Sequence, residues 1–355
     1  MGCRTERLKE RRPIRPCGDR EQKLTNALDD QLVMRRTMSP DVVTLGEVMG
    51  TLRFSGQFGV GTTVTPSLAG AEANVSIALA RLGHQVQWVG SLGQDTFGEG
   101  ILKTLRGENV GVDHVVMRSE PTGLLVSRRV SLETKRVDYH RSGSAGRIFS
   151  AEQVTNALAE QPKLLHVTGI TPALGDIARA TVTEAVREAR ERGIVVSFDI
   201  NFRRRLWDVE AARPVLSDLA RQADIVFGGT DEFEVVTGEG DPSLALEKMS
   251  GMGVREVVWK SSHLARALTA DGVSAVPNDV VQAVDPIGAG DAFVAGYLSA
   301  WIEGRAVEQR LKRAHTLGGI IVGIDGDWEG LPTRRELTTL ESRAQDAVRS
   351  GSVER

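Results

Sequence analysis

Cysteine is almost missing from this chain. Cys3 and Cys17 are the only two in 355 residues, and both fall within the first twenty. That excludes a disulfide framework and any zinc site built on cysteines. Long apolar runs are missing too. No stretch approaches the ~20 residues that span a bilayer, and no basic, apolar and small-residue pattern marks a secretory leader. Neither sign of charge prevails, since 44 Lys+Arg against 47 Asp+Glu leave a net charge of −3. Such a balance offers no field to hold nucleic acid or an anionic membrane. No Gly-x-Gly-x-x-Gly follows the first strand, which argues against a dinucleotide-dependent oxidoreductase, and no internal repeat is visible. A cytoplasmic protein is the default expectation.

Residues 1–40 differ in character from the rest. They carry ten Lys/Arg and six Asp/Glu, contain Pro13, Pro16 and Pro40, and show no sustained apolar periodicity. They read as a disordered extension; a functional basic tail and a translation start at Met34 or Met38 are alternative readings. A folded domain is predicted from 41 to about 340, with 341–355 as a tail. Asp41-Val-Val-Thr-Leu-Gly-Glu47 reads as a buried strand. Gly70-Ala-Glu-Ala-Asn74 opens a helix with apolar Val75, Ile77, Ala78, Leu79 and Leu82, stopped by Gly83. A strand at 85–89 and a helix at 97–105 follow. Strands at 164–167, 194–199, 225–227 and 256–260 then take turns with helices at 176–192, 210–221, 242–251, 290–303 and 306–322. This alternation predicts an α/β fold, a doubly wound and mostly parallel sheet flanked by helices. Two polar-faced alternating stretches, about 49–66 and 122–142, do not suit that sheet and predict a small β-sheet lid.

In an open α/β sheet the site lies beyond the C-terminal ends of the strands. The sequence puts Glu47, Asp199 with Asn201, Gly228-Gly229 and Lys260 at such ends, followed by Asp285-Pro-Ile-Gly-Ala-Gly-Asp291. Glycines at a helix start let backbone N–H groups approach an anion, where the helix dipole favours negative charge. Asp291, in the first turn, is a helix cap or, beside a bound phosphate, a base that takes a proton from an attacking hydroxyl. Taken alone, this turn is equally well a tight turn with a cap. Polar and glycine positions at several strand ends shift the balance toward a phosphate or a small polar ligand.

These residues resemble the ribokinase-like (PfkB) carbohydrate kinases. Asp285–Asp291 is similar to that family's Asp-Thr/Pro-x-Gly-Ala-Gly-Asp signature, and Gly70–Gly83 is similar to its other one. The resemblance covers about residues 41–340. Within the family, three segments resemble the 2-keto-3-deoxygluconate kinases: Tyr139-His-Arg141-Ser-Gly-Ser-Ala145, Asp199-Ile-Asn201-Phe-Arg203-x-x-Leu-Trp207 and Asp325-Gly-Asp327-Trp-Glu-Gly330. The resemblance implies ATP and Mg²⁺ as cofactors and phosphorylation of a sugar acid's terminal hydroxyl. It implies Asp291 as base, with the N–H groups of Gly288, Ala289 and Gly290 holding the transferred phosphate. Glu47, Gly70, Asn74, Tyr139, Arg141 and Arg203 would bind substrate. Asn201, Gly229, Glu232, Lys260, Ser262, Ala265, Asp285 and His315 would face the nucleotide, with Glu232 also near the metal. A homodimer or higher oligomer pairing through the lid is implied too. Planar guanidinium groups match a carboxylate, so Arg141 and Arg203 favour an acid over neutral ribose or fructose. Arg203-Arg-Arg205 read as a solvated charge run is the plainer alternative.

The chain also departs from the pattern. A glycine pair before the first helix reads Ala69-Gly70, a lid tyrosine falls at Leu125, and Asn-x-x-Glu reads Gly229-Thr-Asp-Glu232. The nucleotide loop, Lys260-Ser-Ser262-His-Leu-Ala265, has lost its glycines, and an adenine-side Asn falls at His315. These changes keep two alternatives open: a neutral-sugar kinase, and a catalytically weak regulatory protein on the same fold.

Overall fold

The computed structural model describes residues 39–57, 59–129, 135–278, 287–324 and 326–351. The segment 1–38, Asp285 and Asp325 therefore lie outside the described residues, and with them most of the expected N-terminal extension. The architecture rests on β1 (Val42–Leu45), a run of four buried residues. Strands apolar on both faces suit the middle of a parallel sheet. β1 pairs in parallel with β4 (Val86–Gly93) on one side and β8 (Leu164–Thr168) on the other.

In chain order the remaining strands are β2 (Met49–Phe54), β3 (Val64–Ala69), β5 (Val115–Arg118), β6 (Leu124–Arg129), β7 (Lys135–His140), β9 (Val195–Asp199), β10 (Ile225–Gly228), β11 (Glu256–Trp259), β12 (Leu264–Thr269) and β13 (Gly272–Pro277). The helices are α1 (Ala71–Arg81), α2 (Thr96–Gly107), α3 (Ala151–Ala159), α4 (Asp176–Glu191), α5 (Val209–Gln222), α6 (Thr230–Thr237), α7 (Pro242–Gly251), α8 (Ala289–Ile302), α9 (Val307–Val322) and α10 (Arg334–Gly351). A nine-stranded sheet runs in the order β13-β12-β11-β10-β9-β8-β1-β4-β5. All its pairings are parallel except the β11–β12 and β12–β13 edge. The chain reverses its direction of sheet growth between β1 and β8, and ligands bind outside the strand ends at such a point. A second, four-stranded sheet, β3-β2-β6-β7, takes its strands from the two polar-faced stretches.

Several elements differ from the sequence reading. The stretch from 264 to 277 is a β-hairpin, in which Ala265, Ala267 and Val276 are buried while their neighbours along each strand are less so. Residues 151–159 form a helix, closed at its start by a Ser150–Gln153 capping box. The tail expected from 341 is instead the continuation of α10 to Gly351. Among the described residues no helix is long and apolar enough to cross a membrane.

Two apolar layers cover the large sheet. One holds α1 and α8, which carry the residues nearest the switch point, and α1 is buried along its whole length from Ala71 to Ala80. α8 is braced from behind by α9. A Cβ added at Gly296 would lie 2.8 Å from the Arg313 carbonyl oxygen and 2.9 Å from the Ala314 Cα. Gly296→Ala should therefore push the two helices apart and destabilise the protein by about 1–3 kcal/mol, read as a lower urea or thermal midpoint. An unchanged midpoint would show that this crossing is not tightly packed.

Candidate active site

Two helix starts meet at the switch point. α1 begins at Gly70 and α8 at Gly288, whose φ of 80° is in the left-handed region. A side chain at Gly288 would also meet the Asp327 carbonyl oxygen at 2.2 Å, so only glycine fits there. The first-turn N–H groups of α8 have no acceptor within the helix, and they sit at its positive end. Asn74 of α1 reaches across and donates through Nδ2 to Asp291 Oδ2 at 2.8 Å. A cleft of about 880 Å³ opens over this junction, a volume typical of small-ligand sites.

Burial pushes the Asp291 carboxyl up to about 7, with the Asp199 charge adding to the effect and the Asn74 hydrogen bond opposing it. A carboxylate poised near neutrality can both hold and release a proton under working conditions. Asp199 is itself raised to about 6 by burial, against the pull of Lys260. Its Oδ1 accepts from Lys260 Nζ at 2.5 Å, and Glu232 Oε2 lies 3.7 Å from the same ammonium. Burial works to discharge Lys260, but the carboxylates of Asp199, Glu232 and Asp291 outweigh it and hold the group protonated.

The other side of the cleft is the four-stranded sheet and its flanks. Arg141 pairs with Glu47, which also accepts from Ser144 Oγ at 3.0 Å. Burial keeps Glu47 above the usual carboxylate range despite that arginine. The Arg141 guanidinium lies 5.8 Å over the ring of Tyr139, which is 44 % exposed. Arg203 is half exposed, with Nη1 3.9 Å from Glu232 Oε1. Asn201, buried and at φ 39°, turns the chain out of β9 beside it.

The cleft thus brings together Asp291, Gly288, Gly290, Glu47, Gly70, Asn74, Tyr139, Arg141, Arg203, Asn201, Glu232 and Lys260. Other candidates do not line it. Gly229 caps α6 and donates its N–H to Glu232 Oε2 at 2.8 Å. Ser262 is exposed, and its carbonyl accepts from Asn278 Nδ2. Ala265 belongs to β12, and its N–H points at His315 Nε2, 3.2 Å away. His315 is buried against that hairpin and packs edge-on against Phe293 at 5.5 Å. Ala289 does not line the cleft by its side chain, and Asp285 is outside the described residues.

Several lining residues escaped the sequence reading. Glu72 is buried and accepts from both Thr168 Oγ1 and Thr171 Oγ1 at 2.7 Å. An acid among alanines just after a helix start was the available signal. Arg147 adds positive charge at the rim, beside Arg204 and Arg205 of the charge run already noted. Arg53 of β2 pairs with Glu329, which also accepts from Ser67 Oγ at 2.7 Å. Among the described residues no cluster of three or more His, Cys, Asp or Glu side chains is arranged to hold a metal. A divalent cation here would take most of its ligands from phosphate and water, as Mg²⁺ ordinarily does. Glu232 offers a single carboxylate already capping α6.

The comparisons with known proteins point the same way. The sequence profile of the "pfkB family carbohydrate kinase" matches residues 40–334. The 2-dehydro-3-deoxygluconokinase of Bacillus subtilis is 33% identical over 86% of this chain and 96% of its own length. That of Thermoproteus tenax is 32% identical over 88% of this chain and 93% of its own. Among solved structures, a PfkB protein from Polaromonas sp. JS666 superimposes with a TM-score of 0.76 at 33% identity, covering 84% of this chain and 99% of that one. The chain belongs to the pfkB family and is a carbohydrate kinase of the ribokinase-like fold.

Proposed function

We propose that this kinase moves the γ-phosphoryl group of ATP to the terminal hydroxyl of a sugar acid, 2-keto-3-deoxygluconate, giving its 6-phosphate. The observation that carries the reading is Asp291. It is a cleft carboxylate in the first turn of α8, held by Asn74 and raised to about 7. Phosphoryl transfer asks a protein mainly for positioning and charge stabilisation, and a helix start with glycines supplies both.

In this reading Asp291 accepts the proton of the substrate hydroxyl as its oxygen attacks phosphorus. The N–H groups of Gly288, Ala289 and Gly290 hold the phosphoryl oxygens. Glu232 would help to hold Mg²⁺ bound with ATP, and the ion would supply positive charge to the phosphates. Asn201 and Lys260 face the phosphates. Glu47, Gly70, Asn74 and Tyr139 bind sugar hydroxyls. The acid end lies against Arg203 and Arg141. Support for an acidic substrate comes from the rim arginines and from the two curated relatives, both named for a ketodeoxy sugar acid. The four-stranded sheet acts as a lid that excludes water, and its edge strands β3 and β7 provide the pairing surface of a homo-oligomer.

Asp291→Asn removes the base but keeps the shape. Its kcat should fall by roughly 10²–10⁴-fold while the KM for the sugar acid moves little. Turnover near the wild-type level would remove Asp291 from the base role. The pH dependence follows from the raised carboxyl. The base acts when ionised, so kcat/KM for the sugar acid should fall about tenfold per pH unit below about 7. Asn74 favours the ionised form, so Asn74→Ala should move that limb to higher pH. A limb at the same pH in both proteins would mean that another group titrates.

A further inference from the structure

Lys260, which faces the phosphates in the reading above, stands at the cleft floor against the start of α8. It follows directly on β11, with its side chain 15% exposed. Its ammonium touches Asp199 and faces Glu232. It also lies 3.9 Å from the place where a Cβ on Gly290 would stand, against the first turn of α8. The helix start, Asp291 and a cation held by two carboxylates thus share one corner of the cleft.

A buried ion pair by itself is weak evidence for stability, since apolar replacements of similar volume are often neutral or better. Position is what distinguishes this one. The Lys260 backbone N–H donates to the Gly228 carbonyl at 2.8 Å, which extends the β10–β11 ladder and fixes the root of the side chain. Asp199 ends β9, on the other side of β10, and its side chain is 2% exposed, so it cannot follow the ammonium far. Glu232 is fixed by its hydrogen bond to Gly229 N–H. The cation is therefore preorganised beside the helix start, as electrostatic stabilisation of a transition state requires.

We propose that Lys260 is a catalytic residue of the phosphoryl transfer, its ammonium stabilising the charge on the transferring group while Asp199 and Glu232 hold it in place. The step balances without a proton from lysine. The substrate hydroxyl gives its proton to Asp291, and its oxygen bonds to phosphorus. The bond from phosphorus to the leaving oxygen breaks with its electron pair, releasing ADP. Lys260 stays protonated throughout. The inference rests on the Asp291 kinase reading and adds a second charge-bearing group to it.

Two variants separate catalysis from mere neutralisation of Asp199. Lys260→Met leaves a buried carboxylate unpaired and is expected to destabilise the fold. The double variant Lys260→Met with Asp199→Asn removes both charges and should regain most of the wild-type thermal midpoint. In that double variant kcat is expected to stay roughly 10²–10³-fold low, the usual cost of losing one preorganised stabilising group. KM for the sugar acid should stay within about threefold. Binding of ADP with aluminium fluoride and the sugar acid, a mimic of the transferring group, should weaken by a factor similar to the loss in kcat. A double variant with wild-type kcat and wild-type mimic affinity would overturn the inference and leave the Asp291 reading intact. A wild-type protein inactive toward every sugar and sugar acid would overturn both.

Discussion

The structure depends on a carboxylate kept at the start of a buried helix. Asp291 belongs to α8, and Asn74, which fixes it, belongs to α1, 217 residues earlier. Each helix is packed so that its first turn has little freedom. α1 is buried along its length, and α8 is pinned at Gly288 by the Asp327 carbonyl and at Gly296 by α9. The hydrogen bond between them aligns a carboxylate with a row of backbone donors. Dense apolar packing behind the sheet thus allows an ionisable group to stay raised in front of it.

Ion pairs join the four-stranded sheet to the large one. Glu47 follows β1 of the large sheet, whereas Arg141 follows β7 of the small one. Glu329, near the C-terminal end of the matched family region, takes Arg53 of β2 and Ser67 of β3. These contacts place the smaller sheet over the strand ends and enclose the cleft from above. They also explain why acids and bases concentrate here in a chain whose net charge is close to zero. The rim keeps Arg203, Arg204 and Arg205 next to one another on the loop after β9. A cation-rich rim over an acid-rich floor suits a substrate with a carboxylate at one end and a hydroxyl at the other.

Much of this was legible in the sequence because it is local. Helix starts, buried strands and the two polar-faced stretches each carry a period that can be read in a short window. The β12–β13 hairpin was not legible as a hairpin. Lys260–Ala265 reads as a loop, and Leu264-Ala-Arg-Ala-Leu-Thr269 is too short and mixed to separate strand from connection. Pairings between distant residues were beyond reach as well. Nothing in the order of residues joins Lys260 to Asp199 or Arg53 to Glu329; sheet order alone brings β9, β10 and β11 side by side. His315 illustrates the converse. It stands where the family pattern has an adenine-side Asn, yet its imidazole is buried against Ala265 and Val276, where the hairpin occupies it.

Whether this site phosphorylates a sugar acid can be read from ATP consumption by the purified protein. The assay would compare 2-keto-3-deoxygluconate, 2-keto-3-deoxygalactonate, gluconate, fructose and ribose under one set of conditions. A ketodeoxy acid should give the highest kcat/KM, and its product should carry phosphate on the terminal carbon. Turnover confined to fructose or ribose, or none with any of the five, would contradict the sugar-acid reading.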